Sequence, residues 1–227
     1  MEIWKLTQPF SSDEDDSPTP KLPATATNYQ IREIRGSLFD APTGSALIHA
    51  CNAQGTWGKG IAATFKHKYP AAFQVYRTYC MQLLQHITTH PIPDLGNGDM
   101  HPRSVRFPLG TALIIEPQSA DYELDRKSHW IICLFTSYHY RARVDAPDLI
   151  ISSTYAALRD LKEQLEDLDK SDDTAEKPTG LFACRFNSGA FGVPWKETRK
   201  VIQEVGLDMT VMYTDEADDQ GSLSKVA

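Results

Sequence analysis

Two glycine-rich stretches carry the residue types that handle anions and protons. The first, HACNAQGTWGKGIAATF at 49–65, sets His49, Asn52 and Trp57 among Gly55, Gly58 and Gly60. Glycine permits close backbone approach and φ > 0. The amides of Gly58, Lys59 and Gly60, with the start of a following helix, can therefore form a cradle for anionic oxygens; a plain tight turn is the alternative. No Gly-Lys-Ser/Thr ends the stretch, so it is not a Walker loop, and it lacks the GxGxxG dinucleotide spacing. His49 is either an acid/base or substrate-contacting group or a histidine satisfying a backbone carbonyl. Asn52 suits a sugar hydroxyl or a turn, and Trp57 either covers a ribose or anchors the loop. The second stretch, FNSGAFGVPW at 186–195, repeats the layout near the other end of the chain. In a doubly covered sheet such loops emerge at the carboxyl ends of strands, where ligands bind. Two of them would clasp a diphosphate from opposite sides.

Elements to position these loops are legible on either side of each. NYQIREIRG alternates and stops at Gly36, ALIHA is a short apolar run, and TALIIEP and HWIICLFTS suit strands covered on both faces. LFACRF and MTVMYT complete six strand candidates. Ile61, Phe65 and Tyr69 make a helical stripe ended by Pro70, and Tyr76, Cys80 and Leu84 make another. Leu158, Leu161, Leu165 and Leu168 line one side of a helix starting near Pro147, which Asp145 or Ser152 is placed to cap. A fourth helix starts near Pro194. Residues 86–108, with Pro91, Pro93, Gly96, Gly98 and Pro102, read as a long loop or insertion. Strands interleaved with helices make one three-layer α/β domain.

The chain has 227 residues, 41% of them hydrophobic, and a net charge of −7. That suffices for one substantial domain and argues against wholesale disorder. Lys5 and Lys21 against Glu2, Asp13, Glu14, Asp15 and Asp16 leave −3 in residues 1–30. Lys225 against Asp215, Glu216, Asp218 and Asp219 leaves −3 in 215–227. Residues 31–214 therefore total only −1. The expected organisation is an acidic, Pro-rich extension at 1–27, a domain at 28–214, and an acidic tail at 215–227. No apolar run is long enough to span a membrane and no secretory signal is visible. A soluble monomer of the cytoplasm or nucleus is expected, without nucleic-acid or membrane partners. Cys51, Cys80, Cys133 and Cys184 form no CxxC pair and no Cys/His cluster at zinc spacing. They read as reduced thiols, with no metal expected.

LIHACNAQGTWGKGIAATFKHKYP, FNSGAFGVPWKET and CLFTS at 133–137 together resemble the signature segments of the macrodomain family. The match is nearest to its fungal ADP-ribose 1''-phosphate phosphatase branch and spans about 29–214. The resemblance implies a three-layer α/β/α sandwich with a mixed, mostly parallel central sheet that binds ADP-ribose at the strand ends. Carried over by position, Gly36, Ser37 and Leu38 lie where the family contacts adenosine. Ile48, His49 and Ala50 line the cleft, and Asn52 falls at the distal ribose. Thr56, Trp57, Gly58, Lys59, Gly60 and Ile61 make one phosphate loop. Asn187, Ser188, Gly189, Ala190, Phe191 and Gly192 make the other. His49 matches a histidine implicated in the phosphatase activity, and Asp145 is an acidic candidate in the loop after CLFTS. The implied activity is metal-independent hydrolysis of ADP-ribose 1''-phosphate to ADP-ribose and phosphate, with no cofactor. A non-catalytic ADP-ribose-binding module and a hydrolase that removes ADP-ribose from proteins are the alternatives. Two positions depart from the family. Ser37 stands where many macrodomains place an aspartate against adenine, and Phe191 where the glycohydrolases have a carboxylate. The 86–108 segment exceeds the family minimum and has the length of a lid.

Overall fold

The computed structural model describes residues 29–95, 102–125, 127–170 and 176–214. The acidic extensions expected at 1–27 and 215–227, and the tip of the 86–108 segment, lie outside them. Six strands form the central sheet: β1 (Ile31–Arg35), β2 (Ala46–Asn52), β5 (Ala112–Ile115), β6 (Trp130–Ser137), β7 (Leu181–Ala183) and β8 (Met209–Tyr213). Their order is β1-β8-β7-β2-β6-β5, and every neighbouring pair is parallel except β5 with β6. β2 and β6 run through the middle and are buried over nearly their whole length. This is why they read as continuous apolar runs rather than alternating ones.

Helices cover both faces. On one, α1 (Ile61–Lys68) and α2 (Pro70–Gln85) bring Phe65, Tyr69, Phe73 and Tyr76 against Leu47, Cys51, Ile131, Cys133 and Phe135. On the other, α4 (Pro147–Lys170) and α5 (Trp195–Val205) set Leu158, Leu161, Val201 and Ile202 against Ala46, Ile48, Ile132 and Leu134. Tyr69 ends α1 and Pro70 opens α2, where a missing N–H costs nothing. The three-layer sandwich is therefore present.

Three local expectations need correction. Residues 86–108 are not simply a loop: β3 (Thr89–Pro93) and β4 (Pro102–Arg106) pair antiparallel, with Ile92 and Val105 turned inward. The prolines are tolerated because both strands of a two-stranded ribbon are edges. Arg103 ties this hairpin to Asp94 and to Asp148 at the start of α4. A short helix, α3 (Ser119–Asp125), supplies Asp121, whose buried carboxylate accepts the Ala71 and Ala72 amides in the first turn of α2. An external carboxylate thus caps that helix and meets its dipole. Ser152 is no cap for α4: it sits within the helix, and its Oγ accepts the Leu95 amide at 3.1 Å. Asp145 is likewise turned away from α4, toward Tyr138.

Candidate functional site

Parallel pairing of β6, β2 and β7 places three loops side by side at the carboxyl ends of these strands. The first runs from β2 to α1. Its path is set by side chains that are themselves used up. Asn52 donates from Nδ2 to the Thr56 carbonyl at 2.7 Å and accepts the Gln54 amide at 2.9 Å. The Tyr76 hydroxyl donates to the Asn52 carbonyl at 2.6 Å. Trp57 is buried and stacked on Tyr76, with centroids 4.9 Å apart. Asn52 and Trp57 therefore build the turn and anchor it. Beyond them Gly58, Lys59 and Gly60 are exposed, and Gly60 has φ +58 directly before α1. A side chain at Gly60 would meet nothing within 4 Å, so the main chain there faces open space.

The second loop joins β7 to α5 and turns on Asn187, a buried residue at φ +68. Its Oδ1 accepts from the Thr136 hydroxyl at 2.8 Å, and its Nδ2 donates to Thr154 at 2.9 Å and Thr198 at 3.3 Å. These hydroxyls come from β6, α4 and α5, so one amide ties the loop to three elements. Ser188 hydrogen-bonds the Arg185 carbonyl. Gly189 and Gly192 again have open space where a side chain would stand. Both loops thus present main chain outward, and Asn52, Asn187 and Ser188 make internal bonds.

The third loop lies between β6 and α4 and holds Asp145, the acidic candidate of the sequence, with the basic Arg141 and Arg143. Half-buried, Asp145 accepts the Tyr138 amide at 2.6 Å, and its own amide donates to the Ser137 hydroxyl. The Tyr138 carbonyl in turn accepts from the Ala53 amide and from Gln54 Nε2. A short relay therefore joins Asp145 to the first loop. The sequence singled out neither Gln54, inside the first stretch, nor Ser137, Tyr138 and the half-buried His139, because CLFTS reads as plain strand. A polar pair directly after a buried apolar strand was the available signal. At the positions expected to face adenosine, Ser37 Oγ accepts the Phe39 amide and starts a single 3-10 turn at Leu38–Asp40. Leu38 is buried, while Gly36, Ser37, Ala50, Thr56, Ile61 and Phe191 are half-buried and Ala190 is exposed.

His49 is not at the cleft surface. Its side alternates with that of Ile48, which puts the ring on the α1–α2 face of the sheet with no exposed area. There it stacks on Phe65 at 4.1 Å and meets Trp57 edge-on at 4.8 Å. The ring expected to touch substrate is thus walled by two aromatic side chains in this structure. Cys51 lies beside it, with Sγ 3.4 Å from Nε2 and 3.4 Å from the Trp57 indole nitrogen, which donates to it. Burial pushes the Cys51 thiol up, while Cys133, His49 and Trp57 act the other way and lower it on balance. Cys133 moves the other way, raised by burial and by its bond to Cys51. All four cysteines are free thiols. The chain spacing shows no metal motif, but folding gathers His49, Cys51 and Cys133, whose ligand atoms lie within 4.8 Å of one another.

A family model described as Macro domain matches residues 48–202. A protein of Aspergillus fumigatus named ADP-ribose 1''-phosphate phosphatase is 51% identical over 187 residues, covering 81% of this chain and 94% of its own length. A protein of the same name from Aspergillus oryzae is 43% identical over 204 residues, covering 87% of this chain and all of its own. Among solved structures, the macrodomain of Mycobacterium tuberculosis DarG superposes with a TM-score of 0.54 at 21% identity, covering 81% of this chain and 97% of that one.

Proposed function

Because the chain belongs to the Macro domain family, we propose that it hydrolyses the phosphate monoester of ADP-ribose 1''-phosphate, yielding ADP-ribose and phosphate. The carrying observation is the pair of outward-facing main-chain loops at 56–61 and 187–192, held over adjacent strand ends. Full-length fungal relatives named for this activity support it. The 58–60 amides and the start of α1 face the diphosphate from one side, and the 189–192 backbone from the other. Adenosine lies toward Gly36–Leu38, without the family's aspartate.

The chemistry needs a positioned water and neutralised phosphoryl oxygens. Water attacks phosphorus, the bond from phosphorus to the 1'' oxygen breaks, and one proton passes from the water to the leaving oxygen. Asp145 is the carboxylate proposed to handle that proton, because the Tyr138 amide fixes its orientation beside the first loop. His49 is a positioning residue that supports Trp57 and hence the loop. A metal is not proposed for this step, since the His49–Cys51–Cys133 group is sealed away from the cleft. Phosphate release from ADP-ribose 1''-phosphate tests the reading. Asp145→Asn keeps the acceptor for Tyr138 and should lower kcat by roughly 10²–10⁴-fold. No release by the unaltered protein overturns the reading. Tight ADP-ribose binding without release would instead support a binding module, a reading favoured by the commitment of Asn52 to structural bonds.

A further inference from the structure

We propose that His49, Cys51 and Cys133 form a buried structural site for one soft, thiophilic d10 cation. The backbone sets the site. His49 faces Cys133 across the β2–β6 register, and Cys51 lies two residues along on the same face of β2. All three are buried, and their ligand atoms lie within 4.8 Å of one another. The separation of 3.4 Å between His49 Nε2 and Cys51 Sγ is close to the roughly 3.6 Å expected of two tetrahedral ligands bound at ~2.1 and ~2.3 Å.

A second observation comes from the histidine itself. His129, also buried, satisfies both ring nitrogens with oxygen partners: the Tyr69 hydroxyl at 2.7 Å and the Ala41 carbonyl at 3.1 Å. His49 has 0% exposure, and among the described residues the Cys51 sulfur is the hydrogen-bond partner of both its ring nitrogens, at 3.4 Å from Nε2 and 3.6 Å from Nδ1. Thiol sulfur is a weak hydrogen-bond partner, so this sealed imidazole is poorly satisfied, with the two thiols within 4.8 Å of it. A cation among the three atoms would satisfy it.

Charge agrees. Binding a divalent ion releases the two thiol protons to solvent, and two thiolates with a neutral imidazole balance the ion to zero. A neutral cluster is the form that burial tolerates. The Trp57 indole N–H on Cys51 would serve as the outer hydrogen bond that orients a ligating sulfur. Soft ligands of this kind select zinc or cuprous ion over magnesium or calcium.

The test uses the full chain, stripped with a chelator and then titrated with Co²⁺, Zn²⁺ and Cu⁺ in separate arms. One equivalent of Co²⁺ should produce a thiolate-to-cobalt absorption band. Zn²⁺ at a hundredfold excess over its Kd should raise Tm by about 5–10 °C, whereas Mg²⁺ should leave it unchanged. A stoichiometric Cu⁺ response with no response to Zn²⁺ or Co²⁺ also supports the site and identifies the cuprous ion as occupant, with one thiol releasing its proton and the other keeping it so that the cluster stays neutral. X-ray absorption of the loaded wild-type protein should show two sulfurs and one nitrogen, which needs no variant to fold. The proposal is overturned if none of the three ions binds, if the absorption shows only nitrogen and oxygen, or if Cys51→Ala/Cys133→Ala takes up the ion equally well. None of these readouts depends on phosphate release, so the site stands or falls apart from the proposed reaction.

Discussion

Replacing Asn187 with alanine isolates what holds the second loop. In the native protein one amide serves three buried hydroxyls, on Thr136, Thr154 and Thr198, from a residue at φ +68. Alanine leaves the Thr136 hydroxyl without its acceptor, a loss of about 1–3 kcal/mol. The bonds to Thr154 and Thr198 add about 0.5–1 kcal/mol each. Left-handed backbone costs alanine about 1 kcal/mol that asparagine largely avoids. The sum is a destabilisation of about 3–6 kcal/mol, a large share of the roughly 5–15 kcal/mol typical of a folded domain. Asn187→Gly removes the same bonds but accepts the conformation, so it should recover about 1 kcal/mol. Urea denaturation, followed by circular dichroism with the m-value held common, reads both differences. A loss below about 1 kcal/mol for Asn187→Ala would refute the network as the loop's support. A glycine variant no more stable than alanine would refute the backbone part.

Two other outcomes are expected. Gly189→Ala meets open space at a position without positive φ, so Tm should stay within about 1 °C while a methyl group crowds the proposed cradle. Losing one charge-assisted amide contact should weaken ADP-ribose binding roughly 10–100-fold by calorimetry; an unchanged Kd would remove the loop from the binding site. Glu33 on β1 is held below its ordinary 4.5: burial opposes this, but Arg185, Trp195 and Arg199 prevail. A lowered carboxyl stabilises the fold fully above the unfolded value and loses that contribution as pH falls through the lower folded one. Glu33→Gln should therefore cost under about 1 kcal/mol at neutral pH, given its partial exposure, and should flatten the acid limb of stability against pH. An identical acid limb in both proteins would contradict this.

Strands and helices were readable in the sequence because their burial pattern is regular. Continuous apolar runs marked β2 and β6, and a leucine stripe marked α4. The β3–β4 hairpin was hidden by Pro91, Pro93 and Pro102, which usually break strands but are harmless on edges. The glycine loops were legible through their strand–loop–helix placement. What each polar side chain does there was not, because that depends on partners distant in the chain. Asn187 finds Thr136 and Thr154 at separations of 51 and 33 residues. His49 shows the same limit more sharply. Its place before a glycine loop suggests the cleft, whereas strand alternation sends the ring to the α1–α2 face of the sheet, against Phe65 and Trp57. Its gathering with Cys133 follows from strand register, which no local spacing encodes.

The single hydroxyl of Tyr76 has a consequence for motion. It fixes the Asn52 carbonyl from the middle of α2, and Asp121 pins the first turn of that helix from outside. The first loop therefore has no independent opening reaction of low free energy. Its internal amides, Gln54 among them, should exchange their hydrogens with solvent only when α2 itself detaches, and at the same slow rate. Thermodynamically the loop belongs to the helix. A ligand that docks on it meets a surface already ordered and pays little entropy to settle there.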